Sequence, residues 1–281
     1  MLTPAFARHS TLAALSILLL LPLTASAQEP TEPPPPPTSP EVELNLINLP
    51  TTRSLNRHQS YFRITHRFAR DLRRGDFTDL LQDLFSLDNG AVIGLEYRFG
   101  ITTDLQAGVN RTALGKTIDF FGRYDGLRQG ESMPISLSVV GSIEGLQNFH
   151  DDYQPGIAAV VSRQANKWLM LYASPTFVAN TRDPDLLPGA GEDGDSQNTL
   201  FVGLGTRIRF RPAAYLVGEY SPRLAGYDPN NAVWGAAVEF ATKGHTFQIN
   251  FTNAFGTLPG QIARGGSDHD VYLGFNITRR F

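Results

Sequence analysis

The chain has no cysteine. That excludes a disulfide framework, a thiolate zinc site, a thiol nucleophile and a lipid-modified cysteine after an export signal. Lysine is scarce, occurring at Lys116, Lys167 and Lys243, and the net charge is −3 with a pI of about 6.1. No basic surface for nucleic acid is therefore expected. Beyond residue 23 there is no long apolar run, and the mean hydropathy is −0.18. A bundle of membrane helices, each needing about 20 apolar residues, is excluded on that ground. Glycine is plentiful, at 26 residues, and aromatics make up 10% of the chain.

Residues 1–27 read as an export signal: Arg8, an apolar core from Leu12 to Leu23, and the small-residue cleavage site Ala25-Ser26-Ala27. Residues 28–48 read as a periplasmic tether. Its start, QEPTEPPPPPTSP, favours extended polyproline chain because proline fixes φ and removes a donor. Weak alternation at Val42, Leu44 and Leu46 allows a small accessory strand within that tether.

From Ser60 onward apolar and polar residues alternate with the period of a strand. Twelve such segments can be counted. In the eighth, Leu200, Val202, Leu204, Ile208 and Phe210 oppose Gly203, Gly205, Arg207 and Arg209. In the second, Ile93, Leu95, Tyr97 and Phe99 oppose Gly94, Glu96 and Arg98. Connections tend to alternate long and short, with residues 143–156, 179–198 and 254–270 long and 163–167, 211–213 and 241–244 short. The polar faces carry Gly, Ser, Thr, Asn and Arg rather than Lys and Glu. These traits predict an all-β, antiparallel transmembrane β-barrel over residues 49–281, with apolar residues facing lipid and polar ones facing the lumen. A soluble sandwich or lipocalin-like barrel is the alternative. The one helix-like stretch is residues 76–87, capped by Asp76, with Phe77, Leu80, Leu81, Leu84 and Phe85 on one face.

The expected lumen-lining set is Arg63, Arg67, Glu96, Arg98, Asp119, Arg123, Arg207, Arg209, Glu219 and Glu239, six basic and four acidic residues. Glu219 is expected to pair with Arg207 or Arg209 across the short 211–213 turn. Twelve tilted strands give a backbone diameter of roughly 24 Å and leave roughly 10 Å of lumen. Either opposed charges knit this space shut, or a net-cationic constriction passes small anionic solutes. The leading expectation is a narrow pore. The alternative is a closed structural barrel that docks a periplasmic or extracellular protein through its arm or outer loops. A lipid-modifying enzyme comes third.

Catalytic motifs are missing: there is no HExxH, GxSxG or phosphate-binding glycine loop. His66 sits on the lipid-facing side of the first segment without a serine or acid on the matching face of its neighbours. His150-Asp151-Asp152 and Asp268-His269-Asp270 hold oxygen and imidazole ligands, and the Glu192, Asp193, Asp195 run holds carboxylates without the spacing of a calcium loop. The two histidine clusters read as solvated loop charge near lipopolysaccharide, so no metal or cofactor is expected.

The chain ends in an alternating strand, Leu273, Phe275, Ile277 and terminal Phe281. This resembles the assembly signal that bacterial outer-membrane barrels present to the barrel-assembly machinery, with Arg279 departing from it. Further stretches, His66-Arg67-Phe68, Tyr97 to Thr102, Arg163 to Lys167, the segment GHTFQINFTN from Gly244 and DVYLGFNITRRF from Asp270, resemble a family of exported bacterial β-barrels known as domain of unknown function 5777. That resemblance implies a barrel in the outer membrane, among outer-membrane lipids, and gives no substrate or catalytic residue.

Overall fold

The computed structural model describes residues 39–87, 90–181, 197–227 and 231–281. The expected signal, most of the proline-rich tether and the Glu192 to Asp195 run lie outside the described residues.

Twelve antiparallel strands form one closed sheet. They are β1 (Ser60–Asp71), β2 (Ala91–Gly100), β3 (Leu105–Thr112), β4 (Ile118–Leu127), β5 (Ser136–Gly145), β6 (Asp151–Gln164), β7 (Leu169–Val178) and β8 (Thr199–Arg211). Then come β9 (Ala214–Ser221, resumed at Arg223–Gly226 beyond Pro222), β10 (Val233–Ala241), β11 (His245–Thr252) and β12 (Tyr272–Arg280). Each strand pairs with its neighbours in sequence, and β1 pairs with β12 to close the ring. Closure leaves no unpaired edge.

The side chains are inside out relative to a soluble protein. Ile93, Leu95, Tyr97, Phe120, Leu216, Phe247, Ile249 and Phe251 all face outward and are exposed, while Arg67, Arg123, Arg207, Glu239 and Asn250 are buried inside. A continuous outer band of this kind is stable only against lipid. Strand parity follows the sequence, and on β7 Met170, Tyr172, Ser174 and Thr176 point inward.

One connection differs from expectation and another matches it. The long 143–156 loop is a turn of residues 146–150, because β5 and β6 extend further and keep their ladder up to the Glu144–Gln154 pair. The 76–87 stretch forms α1 (Phe77–Gln82), capped by Asp76, whose Oδ1 accepts from the Thr78 and Asp79 backbone. Phe77 and Leu81 remain exposed on it.

Candidate functional site: a plugged lumen

The tether does not run as far as residue 48 outside the barrel. From Glu41 to Thr52 the chain enters the lumen, turns and returns. Thr51 N–H donates to Leu44 O at 3.0 Å and Leu46 N–H to Leu49 O at 2.8 Å, so residues 44–51 make a tight hook. Asn45 and Pro50 are bridged across it. Glu41 accepts from Thr52 near the point where both arms of the hook reach the short-turn mouth. The weak alternation of Val42, Leu44 and Leu46 thus does mark an ordered segment, but it fills the barrel rather than adding to its sheet.

The wall is shaped for this hook. Glu219 Oε2 accepts three backbone N–H groups, from Ile47 (3.1 Å), Asn48 (2.9 Å) and Leu49 (3.2 Å), and its Oε1 accepts from the Asn48 amide at 2.7 Å. Five arginines donate to hook oxygens: Arg67 to Asn48 Oδ1 (2.9 Å), Arg98 to Asn45 Oδ1 (2.8 Å), Arg207 to Asn45 O (2.8 Å), Arg123 to Thr51 O (2.6 Å) and Arg63 to Ile47 O. Gln248 and Asn276 add bonds to the Leu46 and Ile47 carbonyls. The hook's apolar side chains lie where the wall has glycine. A Cβ on Gly203 would stand 2.6 Å from Leu49, and one on Gly235 would stand 2.8 Å from Ile47. Gly205 leaves the same kind of space for Leu46.

Nine of the ten expected lumen residues are buried inside the barrel, and Arg209 sits partly exposed at the short-turn end, donating to Lys167 O. The expected Glu219 pair is a correction. Register places Gly205 opposite Glu219 and Val217 opposite Arg207. Arg207 pairs instead with Glu239 at 3.1 Å, and the hook takes up all of Glu219's accepting capacity. Other pairs are Arg63 with Glu96 (3.4 Å), Arg98 with Glu96, and Arg123 with Asp125 (2.7 Å). Asp125 and Glu144 lie outside the expected lumen set, yet both are buried on inward faces of β4 and β5. They bring the inward acids to six and cancel the expected cationic excess.

The opposite mouth is narrowed by chain from the long last loop. There α2 (Pro259–Ala263) folds inward, and Ile262 and Ala263 join Leu46, Ile47 and Leu49 in one apolar cluster. Gly260 N–H donates to Glu144 Oε1 at 2.5 Å. Between hook and α2 remains a cavity of about 80 Å³, bordered by Asn45, Arg98, Asn110, Asp119, Leu258 and Ile262.

Outside the lumen, His66 stacks on Phe275 with ring centroids 4.7 Å apart and lies opposite Ile93, among lipid-facing rings rather than beside a serine or acid. Leu273, Phe275 and Ile277 also face outward on β12. Phe281 N–H donates to Ser60 O at 3.0 Å, and Arg279 lies 4.8 Å from the centre of the Phe281 ring. Among the described residues no group of three His, Asp or Glu side chains is placed to hold a metal ion by those residues alone.

Residues 43–281 match the family model described as "Membrane bound beta barrel domain (DUF5777)". No curated protein sequence matches the chain. Among solved structures, the chain is similar to the KdgM porin at 9% identity and a TM-score of 0.48, with 79% of this chain and 99% of that one covered. It is also similar to the outer membrane protein Omp33 of Acinetobacter baumannii (8%, TM-score 0.43, coverage 80% and 98%). A third is outer membrane phospholipase A from Escherichia coli (9%, TM-score 0.42, coverage 79% and 90%).

Proposed function

The chain belongs to the membrane-bound β-barrel family DUF5777, and from that premise we propose that it is an outer-membrane pore for small polar solutes, held shut by its own N-terminal hook. The observation that carries this reading is the partner set of the lumen arginines. Arg63, Arg67, Arg98, Arg123 and Arg207 all spend donors on oxygens of one continuous segment that enters by a single mouth. Withdrawing that segment would turn those donors toward solute oxygens. Arg67 has no carboxylate partner among the described residues, so a carboxylate-bearing solute is the best match for it.

Planar-bilayer recording tests this. The chain from residue 28 is expected to conduct rarely, and the same chain lacking residues 28–55 is expected to conduct steadily. Silence from both folded forms would sink the pore. It would favour the closed structural barrel, a second reading supported by α2 narrowing the other mouth. An enzyme is disfavoured by the apolar surroundings of His66.

We place the barrel in the outer membrane after export and removal of residues 1–27, among lipopolysaccharide and outer-membrane lipids. The barrel-assembly machinery would read its last strand. Deleting Phe281 is then expected to lower the outer-membrane level several-fold and leave periplasmic aggregate. Unchanged heat-modifiable protein in the outer membrane would show that the terminal ring is not read.

A further inference from the structure

We propose that Asp119, Glu144 and Gln154 bind a hard divalent cation of the calcium class, which fastens the inward-folded α2 segment to the barrel wall. The three residues form one row across adjacent strands. Asp119 of β4 is in register with Glu144 of β5, and Glu144 with Gln154 of β6. All three face the lumen and are at most 2% exposed. Side chains directly opposite on neighbouring strands lie close enough to share one ligand.

Their hydrogen bonding is incomplete and no ion pair makes up for it among the described residues, whereas Glu239, whose Oε1 also lacks a hydrogen bond, is paired with Arg207. Glu219 accepts four donors, Glu96 faces two arginines, and Asp125 accepts from Arg123, Ser138, Ser54 and Gln106. Among the described residues Asp119 accepts only from Asn110, on Oδ2 at 3.2 Å, and Glu144 only from Gly260 N–H, on Oε1. Asp119 Oδ1, Glu144 Oε2 and both amide atoms of Gln154 have no hydrogen-bond partner among those residues. Neither acid forms an ion pair among the described residues.

Two facing carboxylates in a buried site repel, and each retains an unused oxygen. A water molecule can satisfy those oxygens but not offset the charge. A hard cation does both, and carboxylate plus amide carbonyl oxygens are its natural ligands. Gly260 shows that two of these oxygens lie close together. A Cβ there would lie 2.9 Å from Glu144 Oε2 and would also meet Gln154 Oε1, so both oxygens gather beside the first turn of α2. Because Glu144 also holds the Gly260 N–H, the ion and α2 would share a ligand. The inference depends on the barrel and not on whether the barrel conducts.

The test uses the chain from residue 28, refolded in detergent without lipopolysaccharide and stripped with a chelator. Calcium chloride is expected to bind at one ion per chain by calorimetry and to raise the heat-modifiability midpoint. Asp119→Asn combined with Glu144→Gln should abolish both responses. Asp151→Asn combined with Asp268→Asn, at the exposed loop clusters, should keep them. If the first pair does not fold, Gln154→Leu supplies the test, with at least about a tenfold loss of calcium affinity expected from a lost ligand. Absence of calcium binding to the parent chain would overturn the proposal. So would binding that survives both Asp119→Asn with Glu144→Gln and Gln154→Leu. A parent midpoint that ignores calcium and falls as pH rises would mean that the two carboxylates share a proton instead.

Discussion

Linking Leu49→Cys to Gly203→Cys by a disulfide is expected to silence the pore, and adding a reductant is expected to restore its openings. The geometry suits the bond: Leu49 Cγ lies 3.2 Å from where a Cβ on Gly203 would stand, so two cysteines here approach the Cβ separation a disulfide needs. The chain has no other cysteine, so only this pair can form. Unlinked, the hook is held by hydrogen bonds that a solute or water can replace one at a time. Linked, it cannot leave the lumen, and mean current should fall at least about tenfold. The alanine pair at the same positions controls for the altered packing. Equal current in the oxidised and reduced forms would mean that solutes bypass the hook, and the gating role would be lost.

How far the sequence discloses this site depends on which force placed each residue. The wall was legible because lipid on one side and polar lumen on the other impose a strict alternation on every strand; the inward positions of Arg63, Glu96, Arg123 and Glu239 follow from it directly. The hook was not, because its order comes from no periodic pattern. Val42 to Leu49 is short, follows a proline run and contains two asparagines, all features of a linker. Its fold is imposed by partners 16 to more than 200 positions away, Arg63 on Ile47 at one extreme and Arg280 on Val42 at the other. The inward glycines were a partial signal: Gly203, Gly205 and Gly235 cluster on neighbouring faces of β8 and β10 where ordinary lumen residues would do, and they mark space reserved for something. Glu144 and Gln154 were hidden for another reason. Hydrophilic ends of β5 and β6 read as loop, although their ladder continues past the apolar part of each strand.

Replacing Glu219 is expected to have the second large effect, and through the hook rather than through an arginine. Glu219→Ala removes the acceptor of three consecutive backbone N–H groups and of the Asn48 amide. Bonds to a charged acceptor are roughly twice as strong as neutral ones, and stranded buried donors cost more than the bond itself was worth. Water entering the lumen recovers part of this, leaving a net loss of about 3 kcal/mol, or roughly a hundredfold in the closed-to-open ratio. The barrel should hardly notice. β9 keeps its ladders to β8 and β10, in which residue 219 pairs with Gly205 and Gly235 through the backbone. The heat-modifiability midpoint should therefore move little, while amide exchange at Ile47, Asn48 and Leu49 quickens and open time lengthens. Glu219→Gln, which keeps the shape and one acceptor oxygen but loses the charge, should fall between Glu219→Ala and the parent. Protected amides at Ile47 to Leu49 in the alanine variant would mean that the arginines and the apolar cluster hold the hook unaided, and Glu219 would then be only one anchor among several.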